Sequence, residues 1–259
     1  MRSLLSASKL VFARQGREAR RDPGPFYLLP MLPALLMTVV FTALFDRITT
    51  VEGFHGRAGY VSFLVPGVMV LVALLAAGAT SAGLAADLRG GFFDRLRLLP
   101  AHLAGQLIGR MAFEAVRLVP GALIVVAVGL ALGADARNGA AGIAVVVALV
   151  AMLGVAYAGV FFAVAIGTRD PQTPFTLQPL GLPLAFLSSA LVPLAVMPGW
   201  ARPIARANPV TAVVDASREA MLGRLWSADL GLAAVVLFGW TVVGMILTAL
   251  SLRRHLTRS

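Results

Sequence analysis

Cysteine is absent from the 259 residues, which rules out disulfides, a thiol nucleophile and any cysteine-ligated metal. Lysine occurs once, at Lys9, with no glycines ahead of it, so no Gly-x-x-x-x-Gly-Lys-Ser/Thr loop exists to cradle nucleotide phosphates. The histidines, His55, His102 and His255, lie in different connections, and none shares an apolar stretch with Ser188 and Ser189. That excludes a paired-histidine zinc protease site and leaves those serines without a base. Charge is scarce: 13% of residues are charged, against about 25% in a soluble domain.

What fills the chain is apolar. Hydrophobic residues make up 59% of it, and they gather into six stretches, roughly Phe26–Phe45, Tyr60–Ala86, Met111–Leu132, Gly139–Gly167, Phe175–Met197 and Leu230–Leu252. Each reaches the ~20 residues that a helix needs to cross a ~30 Å hydrocarbon core. Lipid satisfies no bare backbone, so helix is the expected state. The sequence therefore predicts an all-α polytopic membrane protein with six transmembrane helices. The expected organisation is a cytoplasmic amphipathic segment over 1–25, a membrane domain over 26–252 and a cytoplasmic tail over 253–259. The first stretch is longer than a signal-peptide core and follows a long charged segment, so it reads as a retained span.

The net charge of +10 sits between the spans and at the ends. Topology and anionic lipid account for it without nucleic acid. With the amino terminus inside, the inner segments hold 14 basic residues and the outer ones 7, with Arg117 left within a span. The positive-inside rule then places both termini in the cytoplasm of the cell membrane.

Residues 1–22 read as an interfacial helix, with Leu4, Leu5, Val11 and Phe12 on one arc and Arg2, Lys9 and Arg20 opposite. Leu10 falls off the apolar arc. The fifth stretch is interrupted or flanked by Pro174, Pro179, Pro183 and Pro193, which predicts a bent or broken helix. Glu114 and Arg117 lie three apart at the inner part of the third stretch and share a helix face. They read either as a self-neutralising intramembrane pair or as a gate or dimer contact.

The inner loop over 87–110 contains DLRGGFFDRLRLLP. As a helix, Phe92, Phe93, Leu96 and Leu99 form one apolar face, and Asp94 and Arg97 point away. Such a helix suits lipid or a groove on a soluble partner. The segment 198–229 is mixed in polarity, with Pro198 and Asn208-Pro209 marking breaks between short helices.

These elements, in this order, resemble the membrane subunit of type-2 ATP-binding-cassette exporters, particularly the daunorubicin-resistance-like permeases. The inner loop resembles that family's acidic-x-x-Gly pattern through Asp87, Gly90, Asp94, Leu96 and Pro100, although Gly91 departs from its more usual threonine. The stretch FLSSALVPLAVMPGWARPIARANPVTAVVDASREAMLG, over 186–223, carries its Leu-Ser-Ser, Val-Pro, Met-Pro-x-Trp, Asn-Pro and Asp-x-x-Arg elements in order. The resemblance implies no catalytic, cofactor or metal site in this chain, with ATP and Mg held by two cytosolic ATPase subunits. It further implies a second permease copy or paralogue. It assigns ATPase coupling to Asp87, Arg89, Phe92, Phe93, Arg95 and Leu96. It makes Pro193, Pro198, Trp200, Asn208, Pro209, Asp215 and Arg218 parts of an outer re-entrant or gate segment. The expected function is outward movement of a hydrophobic or amphipathic drug, lipid or lipid-linked glycan. A stand-alone secondary transporter would need intramembrane titratable groups beyond Glu114. An intramembrane enzyme would need a nucleophile and base that the spans do not offer.

Overall fold

The computed structural model describes residues 2–45, 59–90 and 103–257. Among them there is no strand. Ten α-helices follow in order: α1 (Arg2–Arg21), α2 (Leu29–Phe45, entered through a π-turn at Gly24–Leu28), α3 (Gly59–Arg89), α4 (Leu103–Ala131), α5 (Gly139–Thr168), α6 (Gln172–Leu177), α7 (Gly181–Phe186), α8 (Ala201–Ala207), α9 (Pro209–Leu222) and α10 (Ala228–Thr257). Five helical runs among the described residues are long and apolar enough to cross a membrane: Phe26–Phe45, Gly59–Arg89, Gly105–Ala131, Gly139–Thr168 and Ala228–Arg253. The chain is a multi-pass all-α membrane protein, with five such spans and a broken sixth stretch among the described residues.

Span α3 is the axis of the bundle. Its most apolar window is 94% buried within the protein, whereas those of α2 and α10 are only 17% buried. An element that is apolar all round belongs at the centre, where every face meets another helix. Around α3 pack α2, α4, α5 and the short helices α6 and α7. Span α10 lies mainly against α5. There Gly159 and Gly244 bring the two backbones together: a Cβ built on Gly159 would lie 3.1 Å from the Gly244 Cα. Thr248 Oγ1 donates to the Gly159 carbonyl at 2.8 Å across the same contact. Small residues at a helix crossing are how membrane helices gain close packing where lipid supplies no hydrophobic drive.

The fifth apolar stretch does not form one helix. Its run from α6 through a 3₁₀ turn at Gln178–Leu180 to α7 ends at Phe186, after which the chain turns over Ser188–Leu191. At ~1.5 Å per residue that run is about 22 Å long, short of the hydrocarbon thickness. Pro179 and Pro183 remove helical donors, and Pro193 adopts an extended conformation (φ −60°, ψ 142°) before a second 3₁₀ turn at Leu194–Val196. Two short helices, α8 and α9, fill the segment that the sequence divides at Pro198 and Asn208-Pro209.

The amino-terminal helix forms as the sequence reads, amphipathic over Arg2–Arg21, and also packs on α4. Its apolar arc does not face lipid alone. It lies on α4, with Phe12 edge-on to Phe113 at 5.8 Å and Ala19 fully buried. Gly109 permits the approach, since a Cβ there would stand 2.5 Å from the Ser8 carbonyl. Leu10, off the arc, is 71% exposed.

Candidate functional sites: a polar ladder and an arginine staple

Two constellations of buried polar groups stand out. The first runs between α3 and α4. Arg110, on the first turns of α4, is 1% exposed, and its guanidinium reaches back to α3. One arm binds Asp87 and the other donates to the Thr80 carbonyl at 3.1 Å. Asp87 also accepts from Arg14 of α1 at 2.6 Å, and Arg14 pairs with Glu18 at 2.8 Å. Burial alone would lower the Arg14 pKa, but Asp87 and Glu18 outweigh it and hold it above the usual arginine value. Gln15, buried beneath, donates to Glu18 at 2.9 Å. One carboxylate thus ties three helices together.

Thr80 carries the network deeper. Its hydroxyl donates to Glu114 Oε2 at 2.6 Å. Arg117 grips the same carboxylate with two bonds, Nε at 2.8 Å and Nη2 at 2.7 Å. It also donates to the Phe26 carbonyl at 2.9 Å and to the Ala76 carbonyl. Both side chains of this pair are 0% exposed. A charge pair at that depth persists only with such geometry and with its remaining donors and acceptors occupied. The three-residue spacing therefore yields a neutral pair that faces the bundle interior rather than a dimer surface.

The second constellation secures the break after α7. Arg218 of α9 donates to three carbonyls: Phe63 at 2.9 Å, Ser189 at 2.7 Å and Ala190 at 2.9 Å. It pairs with Asp215 at 3.3 Å and lies over the Phe63 ring at 3.5 Å. Ser189 Oγ donates to Asp215 at 2.7 Å. Asn208 caps α9 by accepting from Val210 N at 2.9 Å, while its amide donates to the Leu184 and Leu187 carbonyls, both at 2.7 Å. The backbone groups that proline and the turn set free are thus taken up by side chains, as an apolar surrounding demands.

Of the residues the sequence singles out, Asn208, Pro209, Asp215 and Arg218 meet at this break. Pro193 and Pro198 border it, and Trp200, at the start of α8, is 68% exposed. Arg89 pairs with Asp170 at 2.9 Å, joining the end of α3 to the tight turn after α5. Thr173's hydroxyl, helped by Arg89, holds the Asp170 carboxyl below the ordinary carboxylate value. Phe92, Phe93, Arg95 and Leu96 lie outside the described residues. Sequence reasoning missed Thr80, Arg14 and Arg110. Arg14 and Arg110 counted only as topology charges, although Arg110 is buried, whereas Arg218 was already assigned to the outer segment. A hydroxyl four residues before a buried turn of α3 carries no signal until its α4 neighbour is known.

The profile of the ABC-2 type transporter family matches residues 7–222, from α1 to the end of α9. The chain belongs to that family. It is similar to the "Daunorubicin resistance ABC transporter permease protein" of Streptomyces coeruleorubidus, with 31% identity over 226 residues, covering 85% of this chain and 76% of the relative. It is also similar to the "Probable doxorubicin resistance ABC transporter permease protein" of Mycobacterium tuberculosis, with 28% identity over 237 residues, covering 88% of this chain and 83% of that one. The chain is accordingly a membrane permease subunit of an ATP-binding-cassette exporter. Both constellations fall inside the matched region. Within the permease, the polar ladder lies between the two spans flanking residues 91–102, and the staple lies at the opposite end of α3.

Proposed function

We propose that this permease moves an amphipathic drug-like molecule outward across the cell membrane, driven by ATP and Mg bound on two cytosolic ATPase subunits. The drug-resistance names of its relatives support that substrate class over a lipid or a lipid-linked glycan. A second copy of the chain or a paralogue completes the pathway. Both termini are cytoplasmic, and the residues divide into the amphipathic segment 1–25, the membrane domain 26–252 and the tail 253–259. The loop 87–110 is the ATPase-coupling element. Phe92, Phe93 and Leu96 dock on the partner, with Arg95 at the rim. Asp87 and Arg89 act from behind the loop, holding it to α1, α4 and the Asp170 turn. The segment 198–229 is the outer re-entrant gate, with the Arg218 staple in its closed position.

The observation that carries this reading is the anchoring of the helices on both sides of the loop. Asp87 near the end of α3 is bonded both to Arg110 near the start of α4 and to Arg14 of α1. A force applied at the loop is therefore delivered to membrane helices rather than absorbed by slack. A secondary transporter gains nothing from the geometry, because Glu114 is committed to Arg117 and Thr80. The test is the Phe92→Ala/Phe93→Ala double variant. It is expected to insert normally but to lose the co-purifying ATPase or its substrate-stimulated hydrolysis in proteoliposomes. Normal partner binding and transport in that variant would refute the coupling assignment.

A further inference from the structure

The two charge clusters between α3 and α4 are one structure. Glu18, Arg14, Asp87, Arg110, Thr80, Glu114 and Arg117 form an unbroken series of hydrogen bonds from α1 down to the Ala76 carbonyl. Thr80 is the junction, using its carbonyl toward Arg110 and its hydroxyl toward Glu114. Three arginines balance three carboxylates. From Asp87 to Ala76 the series covers about 16 Å of α3 at ~1.5 Å per residue, roughly half the hydrocarbon thickness. Its Asp87 end abuts the loop, and its other end reaches the backbone where α2 begins, through Phe26.

At the loop end the series has unused capacity. Arg110 Nε, Gln15 Oε1 and Gln106 Oε1 are buried and without a partner among the described residues. Arg110 and Gln106 lie one turn apart on α4, and Gly83 of α3 stands close to both the Arg110 and Gln15 side chains. Buried polar atoms are seldom left unpaired, and such exceptions need a cause. Here the two side-chain carbonyls, one on α1 and one on α4, and the guanidinium's own Nε leave hydrogen-bonding capacity unused at the end of the series next to the loop.

We propose that this polar ladder transmits movement of the loop into the membrane, with Arg110 and Thr80 as positioning residues that make α3, α4 and α1 move as one unit. The proposal rests on the ATP-driven reading and adds the residues that carry the stroke. Thr80→Val removes only the hydroxyl, keeps the side-chain shape and leaves the carbonyl that Arg110 uses. Arg110→Lys keeps the charge but loses the forked geometry.

The experiment uses the full permease with its ATPase in lipid nanodiscs. The chain has no cysteine, so spin labels at Leu130→Cys and Trp226→Cys, both exposed in the parent, report the end of the bundle away from the loop. The parent is expected to change this distance when vanadate traps the nucleotide state. Thr80→Val and Arg110→Lys are expected to keep the bound ATPase and hydrolyse ATP, yet lose that change. If both variants show the parental change, the ladder is only a structural seal and the proposal falls alone. If the parent binds the ATPase but its labels do not move, the proposal likewise falls while the coupling partner stands. If no ATPase binds the parent, both readings fall.

Discussion

A charged side chain in a bilayer protein is tolerated only as part of a completed set. Glu114 and Arg117 meet that condition through five hydrogen bonds, made with Thr80 and Ala76 of α3, with Phe26 ahead of α2 and with each other. Removing one partner leaves the other charge buried and alone, at a cost of about 3–5 kcal/mol. Replacing both by neutral residues of similar shape costs far less. Glu114→Gln and Arg117→Gln should therefore each lower the yield of folded permease, and the double variant should recover most of it. Yield after detergent extraction and gel filtration reads this directly. A second residue-scale case is Gly67. Alanine usually improves a helix interior by about 0.5–1 kcal/mol over glycine. At Gly67, however, the added Cβ would meet the Ala190 carbonyl at 2.1 Å, and a backbone atom cannot swing aside. Gly67→Ala is expected to lose about 1–3 kcal/mol, visible as a lower melting temperature in detergent.

Among the elements, the break between α7 and α9 shows how an irregular segment survives in an apolar setting. Its free carbonyls find Asn208 and Arg218, and its free hydroxyls find Asp215 and Ala185. Arg218→Gln deprives three carbonyls of a donor and cannot stack on Phe63 in the same way. The turn should then open. A single cysteine at Ala190, which is 1% exposed in the parent, should react slowly with a membrane-permeant maleimide and at least about tenfold faster in the Arg218→Gln background, as expected when a closed turn begins to sample open states. Equal rates would mean that Asn208 holds the turn alone. The helix α1 follows the same logic from the other side. Its apolar arc has the composition of a membrane-surface helix; Phe12 packs on α4 and Ala19 is buried, while Leu5 of the arc stays exposed along with Lys9, Leu10, Arg17, Arg20 and Arg21.

At the scale of the molecule, a strongly apolar span at the centre, polar only where the ladder and its ends require it, is surrounded by spans that leave more of their surface exposed. The basic residues then set the direction of insertion. In the cysteine-free chain, a cysteine at the exposed Trp226 should be labelled by an impermeant maleimide added outside intact cells, and one at the exposed Arg17 should not. Labelling at position 17 from outside would invert the topology and with it the side on which the loop 87–110 meets a partner.

Composition and spacing alone determined the solvent of this protein, its helical class and the places of five spans, because a bilayer permits few ways to satisfy a backbone and fixes the length of each crossing. The proline cluster marked where the remaining stretch breaks, and the residues at 186–223 carried the family. What only the tertiary structure decided is which polar groups meet. Arg14, Arg110 and Arg218 look alike in sequence, as basic residues near span ends, yet Arg218 closes a turn and the other two bind one carboxylate between three helices. Thr80 looks like an ordinary hydroxyl in an apolar run. Their roles depend on contacts tens of residues apart along the chain, and a partner at that separation is fixed by how the helices pack, not by any local period.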